Sequence, residues 1–108
     1  MLNEQSRENS HPFPGNLSIL LDACKERHPE RNGIGTPARM FTFGEYHDRV
    51  CRLAHGLRGF GVERNDRVVL SSLDQLGYAT VSLAVFRLGA VVVPVNPRIG
   101  PYELAHIL

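Results

Sequence analysis

Three side chains that can bind soft metal ions recur at intervals of four residues in one helical segment. These are His47, Cys51 and His55, and imidazole and thiolate are common ligands of zinc and copper. With 3.6 residues per helical turn, however, each step of four residues rotates the side chain about 40° further around the axis. The three groups then sweep around the helix instead of converging. We interpret them as a solvated helix flank and predict no metal site.

A glycine-containing segment matches the dinucleotide-binding fingerprint G-x-G-x-x-[GA] as a string of letters. It runs from Gly33 to Ala38. In a true fingerprint, a strand precedes the glycines and a helix follows them, so that the helix amides meet a pyrophosphate. Here a helical pattern precedes the segment, and Pro37 and an extended stretch follow it. We therefore interpret the segment as a plain turn.

The ends of two predicted parallel strands are the positions at which we would look for a ligand, because open α/β sheets bind ligands beyond the carboxyl ends of their strands. These positions hold Ser71, Ser72 and Asp74 after one strand, and Asn96, Pro97 and Arg98 after the other. No glycine loop follows the first strand, and the Asp74 carboxylate would repel a phosphate. We favour a turn at Asn96 and Pro97 with a surface charge at Arg98. We accordingly assign no catalytic, cofactor-binding or metal-binding residue.

The first half of the chain reads as a helix, an irregular turn and a second helix. Helical spacing predicts a first helix over Leu17–Arg27, capped by Asn16 and stopped by Pro29. Residues 32–42 suggest a turn or irregular hairpin that leads into a strand near Met40 and Phe41.

A capping box marks the start of the second helix. Thr42 and Glu45 have the spacing at which a hydroxyl and a carboxylate satisfy each other's free amides, so a helix should begin at Phe43. Gly61 should end it in the left-handed conformation. Its core-facing stripe consists of Tyr46, Val50, Leu53, Ala54, Leu57 and Phe60.

The second half of the chain has the pattern of a βαβ unit. A continuous apolar run over residues 67–72 predicts a parallel strand covered on both faces. Asp74 can cap a deeply packed helix over residues 75–88, and residues 90–95 form a second strand. Short connections make the strands parallel and the crossover right-handed. The fold class is therefore α/β with a βαβ core.

Composition limits the classes of function. A chain of 108 residues with 43% hydrophobic content forms one small domain, and a charge of +1 without a basic cluster argues against nucleic acid or anionic lipid as a partner. Residues 1–15 are polar, which predicts a mobile tail before a domain over residues 16–108. No stretch is apolar and long enough for a secretory signal or a membrane span. Cys24 and Cys51 lack C-x-x-C spacing, so we expect a cytoplasmic protein with reduced thiols.

Three segments, taken in order, resemble the start of the adenylate-forming superfamily of acyl-CoA synthetases. Residues 41–46 (FTFGEY) resemble an L-T-Y-x-E-L motif, and Leu53 to Val68 resemble its L-A-x-x-L…G-V…G-D-R-V continuation. Residues 84–98 (AVFRLGAVVVPVNPR) are similar to A-x-x-K-A-G-A-x-x-V-P-x-N-P-R. Asn65 stands where the superfamily usually has glycine, and asparagine tolerates the left-handed conformation. Arg87 stands for the usual lysine.

The resemblance implies a parent enzyme that joins a carboxylate to ATP with Mg²⁺ and passes the acyl group to coenzyme A. Its phosphate loop and lid lysine have no counterpart here, because Lys25 is the only lysine. A helix predicted from Gly100 and Pro101 is still running at Leu108. We therefore expect an N-terminal fragment, truncated at its C-terminal end, that binds no cofactor and is inactive alone. The alternative is a non-catalytic interaction module that docks onto the remainder of a synthetase or self-associates.

Overall fold

A computed structural model describes residues 17–108. The predicted tail over residues 1–15 and the predicted cap Asn16 lie outside the described residues. The elements, in chain order, are α1 (Ser18–Arg27), β1 (Asn32–Thr36), β2 (Arg39–Thr42), α2 (Phe43–Gly59), β3 (Arg67–Leu70), α3 (Gln75–Arg87), β4 (Val91–Pro94) and α4 (Pro101–Ile107). The α/β class is confirmed.

The predicted irregular turn is an antiparallel hairpin of β1 and β2, in which Thr36 lies opposite Arg39. The backbone amide of Arg39 donates to Thr36 Oγ1 at 3.2 Å across the tight connection. Gly35 is required here because a Cβ at this position would overlap the carbonyl oxygen of Arg39. Gly35 therefore lets the two strands approach closely. The segment that matched the dinucleotide fingerprint is followed by a strand and not by a helix.

Helix α2 begins where its capping box predicts. The amide of Glu45 donates to Thr42 Oγ1 at 3.1 Å, and the amide of Thr42 donates to Glu45 Oε1 at 2.9 Å. Two of the free amides at the helix start are thereby satisfied. Gly61 follows the helix with a φ of 105°, in the region that glycine reaches without a steric penalty.

The core lies where α2 meets α1, α3 and the hairpin. Its buried members are Leu21, Phe41, Tyr46, Val50, Ala54 and Ala84. Val50 and Ala84 are fully buried. The Tyr46 hydroxyl donates to Thr80 Oγ1 at 3.1 Å, because the Thr80 hydroxyl itself donates to the carbonyl of Leu76. This bond ties the centre of α2 to α3.

The βαβ unit is parallel, as predicted, with Arg67 opposite Val91 and Leu70 opposite Pro94. Asp74 Oδ1 accepts from the amide of Leu76 and caps α3. Asn65 has a φ of 71°, so it does occupy the left-handed region, and its amide donates to the carbonyl of Gly89.

Two packing predictions are wrong. Phe60 is 91% exposed although it continues the core stripe of α2. Side chains added at Gly59 or Gly61 would meet no atom within 4 Å, so no described element covers the end of this helix. Strand β3 is not covered on both faces as predicted, because Val68 and Val69 are only half-buried, although α3 is deeply packed as predicted and buries Ala84 and Val85 completely.

Candidate functional site

The side chains after β3 are engaged in local structure. The amide of Asp74 donates to Ser72 Oγ at 3.0 Å, and that hydroxyl lies 3.2 Å from the carbonyl of Asp74. Asp74 in turn caps α3 through its carboxylate. The exposed Ser71 is the remaining polar side chain before the turn. This cluster therefore closes a turn and starts a helix, and offers a phosphate a carboxylate instead of free amides.

The side chains after β4 also form a turn. Asn96 Oδ1 accepts from the amide of Arg98 at 2.8 Å, and the Asn96 carbonyl accepts from the amide of Ile99 at 3.1 Å. These bonds match the turn that we favoured at Asn96 and Pro97, with Arg98 as an exposed charge. The amide of Val95 donates to the carbonyl of Leu70 at 3.0 Å, so this turn begins directly beside the end of β3.

His47 and Cys51 do not lie on a solvated flank, which corrects the prediction made from helical spacing. Helix α1 packs beside them, and the His47 side chain is only 16% exposed. His47 Nε2 lies 2.7 Å from Asp22 Oδ1 of α1. His55, two turns further along α2, is exposed as predicted. A flank inferred from α2 alone could not account for the carboxylate supplied by another helix.

A second donor reaches the same carboxylate oxygen. Arg87 Nη1 at the end of α3 lies 2.7 Å from Asp22 Oδ1. Partial burial raises the pKa of the Asp22 carboxyl, but the hydrogen bonds from Arg87 and His47 and the positive charge of Arg87 outweigh it and hold the pKa below its ordinary value. One aspartate thus joins α1, α2 and α3.

The contacts of Asp22 were not predicted from the sequence because His47 and Arg87 lie 25 and 65 residues away from it along the chain. Asp22 lies among the polar positions of an amphipathic helix, and Arg87 was considered only as a substitute for lysine. No spacing rule relates three residues on three helices. The only local signal was that Asp22 and His47 both lie close to predicted apolar stripes.

Asp22, His47 and Arg87 form the Asp22 cluster, and two of its members, Asp22 and Arg87, line a groove of about 600 Å³ between α1, α2 and the end of α3. Cys51, His55 and Arg58 of α2 line it, together with Glu26 of α1. No group of three or more histidine, cysteine, aspartate or glutamate side chains within residues 17–108 is arranged to hold a metal ion. The groove is therefore a mixed-charge surface with one thiol.

The opposite side of α3 is apolar. A hollow of about 500 Å³ lies between this helix and β4, lined by Leu17, Tyr78, Ala79, Ser82, Leu83, Phe86, Val92 and Pro94. Ser82 Oγ is buried here and has no hydrogen-bond partner among the described residues. Such a group costs free energy until an acceptor or donor reaches it. This face of α3 therefore leaves apolar side chains open to solvent and a buried hydroxyl unsatisfied within the described part of the chain.

Burial also affects Tyr46 in the core. Its desolvation raises the pKa of the phenol, and the opposing effects of the Thr80 hydrogen bond and the Arg49 charge are smaller. The phenol therefore stays protonated at neutral pH and serves the packing of α2 on α3. Within the described range, no helix has the length and apolar character needed to cross a membrane.

The fold is that of the adenylate-forming enzymes. The family model described as "AMP-binding enzyme" matches residues 21–108. The chain belongs to the AMP-binding enzyme family.

Curated relatives include ligases and synthetases. The chain is 33% identical over 92 residues to 3-oxocholest-4-en-26-oate–CoA ligase of Rhodococcus rhodochrous, a match that covers 85% of this chain and 17% of the ligase. It is 36% identical over 93 residues to phosphinothricin tripeptide synthetase of Streptomyces viridochromogenes, covering 85% of this chain and 8% of that protein. The chain thus spans less than a fifth of the length of these relatives.

A solved structure gives the same picture. The anthranilate–CoA ligase AuaEII in complex with anthranoyl-AMP superimposes with a TM-score of 0.79 at 26% identity, covering 93% of this chain and 19% of that one. The resemblance found in the three sequence segments is thereby confirmed at the level of the superfamily.

Proposed function

We propose that this chain is the N-terminal part of an AMP-forming acyl-CoA ligase. The parent reaction joins a carboxylate to ATP, releases pyrophosphate from an acyl adenylate and transfers the acyl group to the thiol of coenzyme A. The family match over residues 21–108 carries this proposal. The Asn96-Pro97-Arg98 ending of the most specific motif supports a CoA ligase over a peptide synthetase. Fatty acids or other carboxylic acids are the proposed substrates.

The proposed role of this part of the ligase is to build a wall of the larger domain. Its strand-end side chains are used in turns and a helix cap, as Ser72, Asp74 and Asn96 show. Its βαβ unit has an open apolar hollow, in which the buried Ser82 hydroxyl finds no hydrogen-bond partner among residues 17–108. These features suit a scaffold that other chain segments cover.

ATP, Mg²⁺ and coenzyme A belong to the proposed parent reaction. Adenylyl transfer develops negative charge on the leaving pyrophosphate, and cations aimed at that charge are usually the largest catalytic contribution. The described strand ends offer the Asp74 carboxylate and a single exposed guanidinium, Arg98. We propose that the 108 residues alone bind none of these cofactors and form no acyl adenylate.

A chimaera tests the proposal. Residues 17–108 replace the matching segment of the 3-oxocholest-4-en-26-oate–CoA ligase, and pyrophosphate exchange into ATP is measured with that ligase's own substrate. We expect activity within about tenfold of the unmodified ligase, because a wall segment with the correct fold restores the domain. A matched chimaera carrying Val50→Asp should be inactive. A folded chimaera with no exchange would contradict the assignment, as would exchange catalysed by the 108 residues alone.

A second candidate function is favoured by the apolar hollow on α3. We propose as the alternative that the chain is a non-catalytic module that docks onto the remainder of a synthetase. The remainder of the Rhodococcus ligase, expressed separately, should then form a complex with this chain in size-exclusion chromatography. Ala79→Glu in the hollow should weaken the complex, whereas a charge at the exposed Phe60 should not. Absence of a complex at high micromolar concentration would exclude this role.

A further inference from the structure

Cys51 contacts the imidazole that Asp22 holds in place. Cys51 Sγ lies 3.7 Å from His47 Nδ1 and 3.8 Å from His47 Nε2. The two residues are one turn apart on α2, where side chains at i and i+4 are neighbours. Cys51 is half-buried and lines the groove of about 600 Å³, so a small molecule can reach its sulfur.

The protons of the cluster follow from its donors and acceptors. The Asp22 carboxylate can only accept, so His47 Nε2 must carry the proton of the 2.7 Å bond. In the neutral ring, His47 Nδ1 then has a free lone pair and lies 3.7 Å from the Cys51 sulfur. Arg87 donates to the same carboxylate oxygen and fixes its position. Nucleophile, base and orienting carboxylate are thus arranged in sequence, as in activated cysteines.

We propose that Cys51 is a covalent modification site that exchanges with low-molecular-weight disulfides. The His47 imidazole takes the thiol proton through Nδ1 while the Cys51 sulfur attacks one sulfur of the disulfide. A new bond forms between these two sulfurs, and the bond within the small disulfide breaks. Cys51 is oxidised to a mixed disulfide, and the departing sulfur is reduced to a thiolate that takes up the proton. The disulfide is the only oxidant required.

The groove has the size for this class of reactant. Its volume of about 600 Å³ falls within the roughly 300–1,000 Å³ of small-molecule sites. The chain also contains its own reference thiol, since Cys24 of α1 is half-buried as well. Among residues 17–108, no imidazole lies within hydrogen-bonding distance of the Cys24 thiol, and this cysteine does not line the groove. The cluster therefore predicts selectivity between two cysteines of similar exposure.

Two single-cysteine variants test this selectivity. Cys24→Ser leaves Cys51, and Cys51→Ser leaves Cys24; each is mixed with 5,5′-dithiobis(2-nitrobenzoate), and the release of thiolate is followed by absorbance. We expect Cys51 to react at least about tenfold faster than Cys24 in native buffer. This factor is smaller than the rate enhancement that general-base catalysis typically gives. In concentrated urea the two rates should agree within about twofold. Equal rates in native buffer would refute the proposal.

His47 and the exposed His106 of α4, which does not line the groove, provide the matched histidine variants. In the Cys24→Ser background, His47→Gln should slow the reaction about tenfold, whereas His106→Gln should leave the rate unchanged. An unchanged rate in a folded His47→Gln protein would assign the contact a structural role only. If that variant does not fold, the comparison of native buffer with urea, which leaves His47 intact, still decides the question. None of these rates requires ligase activity, so they succeed or fail independently of the proposed function.

The natural adduct can be located directly. The wild-type chain, incubated with one equivalent of oxidised glutathione, should gain one glutathionyl group on the peptide that contains Cys51. Mass spectrometry after proteolysis distinguishes this peptide from the one that contains Cys24. Modification of both cysteines to the same extent, or of Cys24 alone, would contradict the assignment.

Discussion

The residues around α2 are more completely buried than those of the βαβ unit. Around α2, the hairpin and two helices bury Tyr46 to 2% exposure and Val50 entirely. In the βαβ unit, the strands are half-buried, Val91 is 47% exposed and the Ser82 hydroxyl has no partner among the described residues. The part around α2 is closely packed by its neighbours, whereas the βαβ unit keeps an open apolar face.

This difference separates stability from assembly. Contacts around α2 remove apolar area from water, at roughly 25 cal/mol per Å², and can hold the described elements together. The apolar hollow on α3 gains nothing until something covers it, and exposed edges of parallel strands favour association. Substitutions of buried residues around α2 should therefore affect folding, and substitutions on the open apolar face of the βαβ unit should affect docking.

The largest expected effect comes from placing a charge in the closely packed part around α2. Val50→Asp buries a carboxylate without a partner, which should cost about 3–5 kcal/mol and unfold a chain of marginal stability. Val91→Asp on the half-buried strand is the control and should cost less than about 1 kcal/mol. Urea titration followed by circular dichroism measures both. Similar losses in the two variants would remove the distinction between the part around α2 and the βαβ unit.

The start of α2 should contribute less than its buried face. Thr42→Ala removes the acceptor for the amide of Glu45 and should lower the free energy of unfolding by about 1 kcal/mol. Thr36→Ala in the exposed hairpin turn removes the weaker 3.2 Å bond to Arg39 and should cost only a few tenths. Urea midpoints of the two variants give the comparison. A larger loss at Thr36 would mean that the hairpin, and not the cap, fixes the start of α2.

Two neighbouring hydroxyls on α3 should respond with opposite signs. Ser82→Ala removes a buried hydroxyl that has no hydrogen-bond partner among the described residues and should stabilise the chain by up to about 1 kcal/mol. Thr80→Ala removes the acceptor of the Tyr46 hydroxyl and should destabilise it by about 1 kcal/mol. Thermal melts of the two variants check the signs. If Ser82→Ala destabilises the chain, the βαβ unit already satisfies that hydroxyl and its face is more complete than we infer.

Local signals predicted the elements well because their causes are local. The capping box at Thr42, the left-handed Gly61 and the Asp74 cap depend on atoms within a few residues of one another, and each is confirmed. The parallel pairing of β3 and β4 followed from short connections and the handedness of βαβ units. These features needed no information about the rest of the molecule.

Packing between distant elements was predictable only in part. Helical periodicity placed Phe60 on the apolar stripe, but periodicity cannot show where the neighbouring elements end, and Phe60 lies in solvent. Periodicity also could not predict the contacts of Asp22 with His47 and Arg87. It does not show that α1 packs against the side of α2 that carries His47. The absence of assigned catalytic residues stays a prediction.

The smallest expected effect is the pH dependence of the bond network between the helices. The folded-state pKa of Asp22 is depressed below its ordinary value of 3.8, so its contribution is present above that pH and is lost as the pH falls through the folded-state pKa. The side chain is 41% exposed, so solvent screening limits this to on the order of 0.5 kcal/mol. Asp22→Asn should remove this part of the acid sensitivity, whereas Asp48→Asn, in an exposed pair with Arg52, should change it less. Urea midpoints measured from pH 6 downwards give the difference. Equal acid sensitivity in both variants would show that the carboxylate between α1, α2 and α3 is no more important to the part around α2 than a surface charge.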